Sequence, residues 1–286
     1  MVHRAPSGRH ASVARITAVL GRAPATLALL VMLALLAGCS EPPIRWSAHR
    51  TQTAPAAGVA ISADGAIVAD SMAPLAARIV PPPGSVCPGT LGLARGGRTL
   101  FGVWWAVRSD SGARLLSARS LDDGRSWTTA VPVDTTDHGS SGCARVPASI
   151  AADTASGYVH VAYALQGKEG PGLFFSHSMD GGDSFHEPVP IFYGERLGRA
   201  SVAADGDVVA VAFEDPNSSR PRVGLALSRT MGHIFEARLL PVSDDNGEAT
   251  HPMAAVRGRR IAVAWRRGAA SDSATAMLAI KTGLLP

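Results

Sequence analysis

Ser120-Leu121-Asp122-Asp123-Gly124-Arg125-Ser126-Trp127 recurs with the same polar skeleton as Ser178-Met179-Asp180-Gly181-Gly182-Asp183-Ser184-Phe185, and in worn form as Ser228-Arg229-Thr230-Met231-Gly232-His233-Ile234-Phe235. The residue types suit a tight turn. Asp122 or Asp180 can accept backbone N–H bonds across it, Gly124 or Gly182 supplies a positive-φ position, and the closing Trp127 or Phe185 can pack the turn onto a sheet. Each serine stands fifteen residues after the aromatic that ends a short apolar run: Val103-Trp104-Trp105, Val161-Ala162-Tyr163 and Val211-Ala212-Phe213. A fourth run, Val263-Ala264-Trp265, continues the series at spacings of 58, 50 and 52 residues. Self-similarity at about 50 residues marks an array of supersecondary units.

Each unit reads as four strands. One lies between aromatic run and turn, as at Gly172 to Ser176 and Arg222 to Leu227; one precedes the aromatic run, as at Ala148 to Ala152 and Ser201 to Ala204; one follows the turn, as at Pro188 to Phe192. Four antiparallel strands per repeat make one propeller blade, so the expected class is an all-β β-propeller with four visible blades and enough length for a fifth. The fourth repeat is truncated: Ile280 stands where the turn serine should be, and no outer strand follows. An uncovered edge invites edge-to-edge association. A segment within residues 57–86, best the alternating Val59 to Val68 with Asp64-Gly65 as its turn, is expected to cover it.

The first two turn strings resemble the Asp box, Ser-x-Asp-x-Gly-x-Ser/Thr-Trp/Phe, of sialidases and other bacterial neuraminidase-like repeat proteins. The resemblance implies that Ser120, Asp122, Gly124, Trp127, Ser178, Asp180, Gly182 and Phe185 are structural, on the face away from any active site. Binding residues are then expected on the opposite loops. Those after the second strands offer Arg108, Asp110, Glu214 and Arg266; those leading into the first strands offer Arg145, Arg199 and His251. A sialidase needs arginines on a sugar carboxylate, a Tyr nucleophile raised by a Glu, and an Asp acid/base. Arg145-Val146-Pro147 resembles the Arg-Ile-Pro string of that family, with Arg78-Ile79-Val80-Pro81 as a rival carrying an inserted residue, and Glu214 and Asp110 could serve as the carboxylates. Yet no Tyr follows Tyr193, and Tyr158 and Tyr163 alternate within one strand. The expected function is therefore a binding module for a glycan, an anionic small molecule or a protein; an exo-α-sialidase or related glycoside hydrolase is the alternative. Extracytoplasmic copper handling is a second alternative, on the pairs His177-x-Met179, Met231-x-His233 and His251-x-Met253, which soft cuprous copper would accept. No resident metal or cofactor is expected: zinc-ligand spacing and a Gly-rich strand-to-helix turn are both missing.

Residues 1–38 hold Arg4, Arg9, Arg15 and Arg22, no carboxylate, and the apolar run Ala25 to Gly38. At about 14 residues that run is short of the roughly 20 needed to span a bilayer, and it reads as a signal sequence. Its end, Leu36-Ala37-Gly38-Cys39, resembles the lipobox of bacterial lipoproteins, which implies acylation of Cys39 and a membrane-anchored, extracytoplasmic protein. With four of the 27 Lys and Arg in the leader, the remaining 23 bases balance the 23 acids, without the basic surplus of a nucleic-acid binder. Residues 39–56 read as a flexible tether and 57–286 as the propeller. Cys87 and Cys143 occupy similar places in successive repeats and, in an oxidising compartment, are expected to form a disulfide.

Overall fold

The computed structural model describes residues 44–81, 87, 89–108, 112–244, 246–268 and 274–286; the signal sequence and Cys39 lie outside them. Two short strands, β1 (Arg45–Trp46) and β2 (Arg50–Pro55), and a hairpin of β3 (Val59–Ile61) and β4 (Ile67–Ala69) precede the repeats. The first repeat is β5 (Gly92–Gly96), β6 (Thr99–Val107), β7 (Ala113–Ser120) and β8 (Val131–Asp134). The second is β9 (Ser149–Ala152), β10 (Val159–Gly167), β11 (Gly170–Ser178) and β12 (Val189–Tyr193). The third is β13 (Ala200–Asp205), β14 (Val208–Asp215), β15 (Arg222–Ser228) and β16 (Leu240–Pro241); the last holds β17 (Ala249–Arg257), β18 (Arg260–Arg267) and β19 (Thr275–Leu284). Each of the first three repeats is one antiparallel sheet with strands in chain order. A single helical turn, Ala73–Ala76, is the only helix among the described residues.

The recurring aromatics are buried between successive sheets. Trp105 meets Tyr163 edge-on at 6.3 Å, in one cluster with Val103, Leu115, Val161 and Phe174. Phe213 packs with Leu173, Phe175 and Val202, and Trp265 with Leu225, Leu227 and Ile261. Burial of one such side chain is worth about 1.5–3 kcal/mol. The first strands also follow one another: β5 packs against β9, β9 against β13, β13 against β17, and β17 against β3. The close approach needs small residues, since a Cβ on Gly92 would stand 2.7 Å from the Ala148 carbonyl oxygen.

The three repeated turns are built alike. Gly124, Gly182 and Gly232 have φ of 82°, 89° and 87°, and each donates its N–H to the buried serine hydroxyl four residues earlier, at 2.8, 2.7 and 3.1 Å. Asp122 accepts the N–H and hydroxyl of Ser126 at 2.9 and 2.6 Å, and Asp180 those of Ser184 at 2.9 and 2.6 Å. These bonds, with the Ser126 and Ser184 hydroxyls foremost, hold both carboxyls down at about 2. In the worn copy the Thr230 hydroxyl takes over, accepting the Ile234 N–H at 2.9 Å. The Trp127 indole N–H donates to Val80 O at 2.7 Å.

The edge of the last sheet is covered differently from the expectation. β2 pairs antiparallel with Thr275 to Ile280 and β1 with Gly283 and Leu284, so residues assigned to a tether supply the outer strands. The string from Val59 to Val68 turns at Asp64-Gly65 as expected, but folds back on itself as β3/β4 and packs on the last sheet through Ile61 and Ile67. Its arms are three residues long, too short for the ten-residue edge of β19. Cys87 and Cys143 are bonded, with Cα atoms 5.1 Å apart, joining the lead-ins to β5 and β9.

Two outcomes follow. Ala54 is buried beside Leu278 and Ile280 while Thr53 is exposed. Ala54→Asp should lower unfolding free energy by roughly 2–4 kcal/mol in urea titrations and Thr53→Asp by well under about 1, whereas a free tether would tolerate both. Removing the disulfide by Cys143→Ser should cost about 2–5 kcal/mol by the same measurement.

Candidate functional site

A cavity of about 500 Å³ opens where the first strands meet. Gly92 and Leu93 of β5, Ser149 and Ile150 of β9, Ala200 of β13, Met253 of β17 and Val59 of β3 line it, with Arg199, His251, Arg266 and Asp70 as its ionisable groups. The backbone explains how these side chains converge. The register of β17 on β18 slips between Thr250 and Met253, and His251 takes a left-handed φ of 51° just before Pro252. For a non-glycine residue this conformation is uncommon and needs support from its surroundings. Support comes from Glu214, at the end of β14, whose Oε2 accepts the His251 N–H at 3.3 Å. The Glu214 N–H in turn donates to Arg199 O at 2.8 Å.

Electrostatics follow from this packing. Burial, then the charges of Arg266 and Arg199, push the His251 imidazole down to about 4, so it is neutral at neutral pH. Its Nδ1 is buried with no hydrogen-bond partner. Burial pushes Glu214 up, against the opposing pull of the His251 N–H and Arg199. Arg266 donates through Nη2 to Ala56 O, which fixes its guanidinium at the rim. Arg199 is exposed, and its guanidinium makes no hydrogen bond or ion pair among the described residues.

Arg199, His251 and Arg266, with Glu214 behind them, are thus together. Arg145 is elsewhere: its buried guanidinium pairs with Asp137, donates to Ser141 Oγ at 2.8 Å and Gly139 O at 2.9 Å, and lies 5.5 Å over the Trp105 ring. Those partners occupy it in a separate cavity of about 480 Å³. Arg108 directly follows β6, with its N–H on Gly112 O, and does not line the first cavity; Asp110 lies outside the described residues. Asp70, whose Oδ1 accepts the Met72 N–H at 2.9 Å, was missed because residues 57–86 read as an edge strand. All three tyrosines are away from this cavity. Tyr163 is buried and donates to Asp134 at 2.7 Å, Tyr193 donates to Glu169 at 3.2 Å, and Tyr158 stacks on histidine.

That histidine belongs to a cluster the sequence did not announce. His160 and His177 are cross-strand partners on β10 and β11, and His233, from the third turn, meets His177 edge-on at 4.7 Å. His186 stacks on His177 at 4.8 Å and Tyr158 at 5.8 Å. Two of the His-x-Met pairs are therefore neighbours across sheets, while His251 is in the cavity. Among the described residues no three His, Cys, Asp or Glu side chains are grouped to hold a metal ion. Both ring nitrogens of His160 and Nε2 of His177 are buried without partners. Burial first, then neighbouring imidazoles, pushes both rings down to about 4, with Asp153 pulling the other way on His160.

No protein-family model matches the chain, and no curated protein matches it. Among solved structures it is similar to a protein of unknown function from Dyadobacter fermentans, at 16% identity over 66% of this chain and 52% of that one, TM-score 0.48. It is also similar to NanB sialidase from Streptococcus pneumoniae, at 13% over 72% and 33%, TM-score 0.44. Xylan β-1,4-xylosidase from Bacillus halodurans aligns at 10% over 71% and 41%, TM-score 0.46. The chain spans about half or less of the length of each.

The histidine cluster sets a pH dependence. An imidazole at about 4 in the fold and near 6.5 when unfolded binds protons more readily in the unfolded chain between those values. Stability should therefore be full above about pH 6.5 and fall as pH drops toward 4. The His160 contribution is on the order of 2–3 kcal/mol. His160→Phe should flatten the dependence of the urea midpoint on pH over that interval, and an unchanged slope would contradict the assignment.

Proposed function

We propose that this chain is an exported, lipid-anchored, sialidase-like β-propeller of Asp-box repeats whose central cavity binds an anionic ligand, with a carboxylated sugar as the best-fitting class. Four four-stranded blades and the β3/β4 hairpin, as a rudimentary fifth, would surround that cavity. The observation that carries the reading is the Arg199 guanidinium, which lines the cavity with Arg266 and makes no hydrogen bond or ion pair among the described residues. A guanidinium presents paired donors that match a carboxylate, and the neutral His251 ring offers a further hydrogen-bonding group without adding a charge. The apolar lining, Leu93, Ile150 and Met253, fits the body of a sugar ring or another small molecule.

Binding is favoured over glycoside hydrolysis because none of the chain's three tyrosines lines the cavity. Glu214 is raised by burial, which suits a carboxyl that must stay protonated part of the time, but its Oε2 is turned to the His251 backbone. Copper handling at the histidine cluster is a weaker reading, since its rings meet face-to-face or edge-to-face.

Titration calorimetry with N-acetylneuraminate tests the reading. Arg199→Ala should weaken binding by roughly ten- to a hundredfold, the loss of a charged hydrogen-bonded contact, without changing the melting temperature. Turnover of a fluorogenic sialoside that disappears in Glu214→Ala would overturn binding without catalysis in favour of the hydrolase.

A further inference from the structure

The strand pairing of the last sheet places four exposed side chains in one cross-strand row. Arg257 is opposite Arg260, Arg260 opposite Leu284, and Leu284 opposite Arg45. Directly opposed residues project from the same face of a sheet, so the row reads Arg-Arg-Leu-Arg over about 14 Å, three strand spacings. Like charges directly opposite one another are destabilising. The Arg257 and Arg260 guanidiniums make no hydrogen bond or ion pair among the described residues, although the Asp64 carboxylate lies near enough to feel Arg260. Arg259 adds a fourth guanidinium nearby, its Nε on Leu285 O at 2.9 Å. The acids close by are Asp64, which Arg260 helps to keep ionised, and Asp205, which accepts the Gly258 N–H.

We propose that this row is a docking surface for an anionic phospholipid bilayer. Repulsion between the opposed Arg257 and Arg260 is relieved by phosphate headgroups, and an exposed leucine between arginines argues for a lipid rather than another polyanion. Leu284, in the middle of the row, is 52% exposed. Arginines flanking an exposed leucine suit the headgroup boundary of a membrane. The chain position agrees. Ile44, which directly precedes β1, is 3% exposed, and only five residue steps separate it from Cys39. At about 3.5 Å each these span no more than roughly 18 Å. This part rests on the proposed acylation of Cys39: a lipid there would keep the row within reach of the headgroups, and the arginines would supply the second contact that orients the protein.

Flotation of the full chain with Cys39→Ser on two kinds of vesicle tests the surface apart from the anchor. Phosphatidylcholine alone reports whatever the apolar leader contributes, and phosphatidylcholine with phosphatidylglycerol adds the anionic term. The parent should prefer the anionic vesicles, with the preference declining as salt rises. Arg257→Ala with Arg260→Ala should weaken binding to those vesicles by about 25-fold, about fivefold per arginine, leave phosphatidylcholine binding unchanged and leave the melting temperature at the parent's value. Equal binding to both vesicles, or a preference that survives the double substitution, overturns the proposal. The mass of the Cys39 peptide from the unsubstituted chain reports the anchor independently, so an unacylated cysteine with an intact anionic preference would remove the anchor and leave the surface standing.

Discussion

β19 presents ten residues of backbone along its outer side, and the pairing of that edge with residues more than two hundred positions earlier shapes the rest of the molecule. An unpaired edge strand is a template for aggregation, so an array of sheets needs something to cover its last one. Because β2 does so, Pro55 to Ala57 are drawn to the rim of the cavity and Ala56 O becomes the acceptor that holds Arg266. Because β1 continues the cover, Arg45 joins the row of Arg257, Arg260 and Leu284. One act of strand pairing thus completes both the site at one end of the last sheet and the charged row at the other.

The repeats were legible because they are written in side chains that cannot be exchanged freely. A serine hydroxyl that accepts a glycine N–H, a glycine at positive φ and an aromatic on the sheet are each specified by geometry, so Ser120, Gly124 and Trp127 announce their neighbours. The covering strand was not legible for the opposite reason. β2 exposes five of its six residues, and Ala54 alone carries its apolar face, so it has no alternation to detect. Val59 to Val68 had the alternation and drew the assignment, although its own turn limits each arm to three residues. Periodicity reports burial, and an outer strand at a solvated edge has little burial to report.

The site divides in the same way. Arg199, His251 and Arg266 were selected by their positions in the repeat and meet in one cavity. Arg145 stands at the same position in its repeat, but Asp137 from the loop before it and Trp105 from β6 surround its guanidinium and leave little of it for a ligand. A position in a repeat predicts where a Cα lies. Whether a cation is available depends on which carboxylates its own loop brings, and those loops vary from unit to unit.

The ionisation of the cavity bears on what it can hold. Burial pushes His251 down to about 4, so its ring is neutral at neutral pH, and pushes Glu214 up; the charged side chains lining the cavity are then Arg199, Arg266 and Asp70. Such a site attracts one anionic group and offers little reason to retain a dication or a second anion. Arg266 and Arg260 sit six residues apart on β18, a span of about 20 Å along an extended strand. The row and the cavity arginines are thus separated by more than the roughly 8 Å over which a charge is felt at physiological salt. Separation on a single strand would keep the two groups of arginine electrostatically independent, so that a ligand at one end need not alter the charge presented at the other.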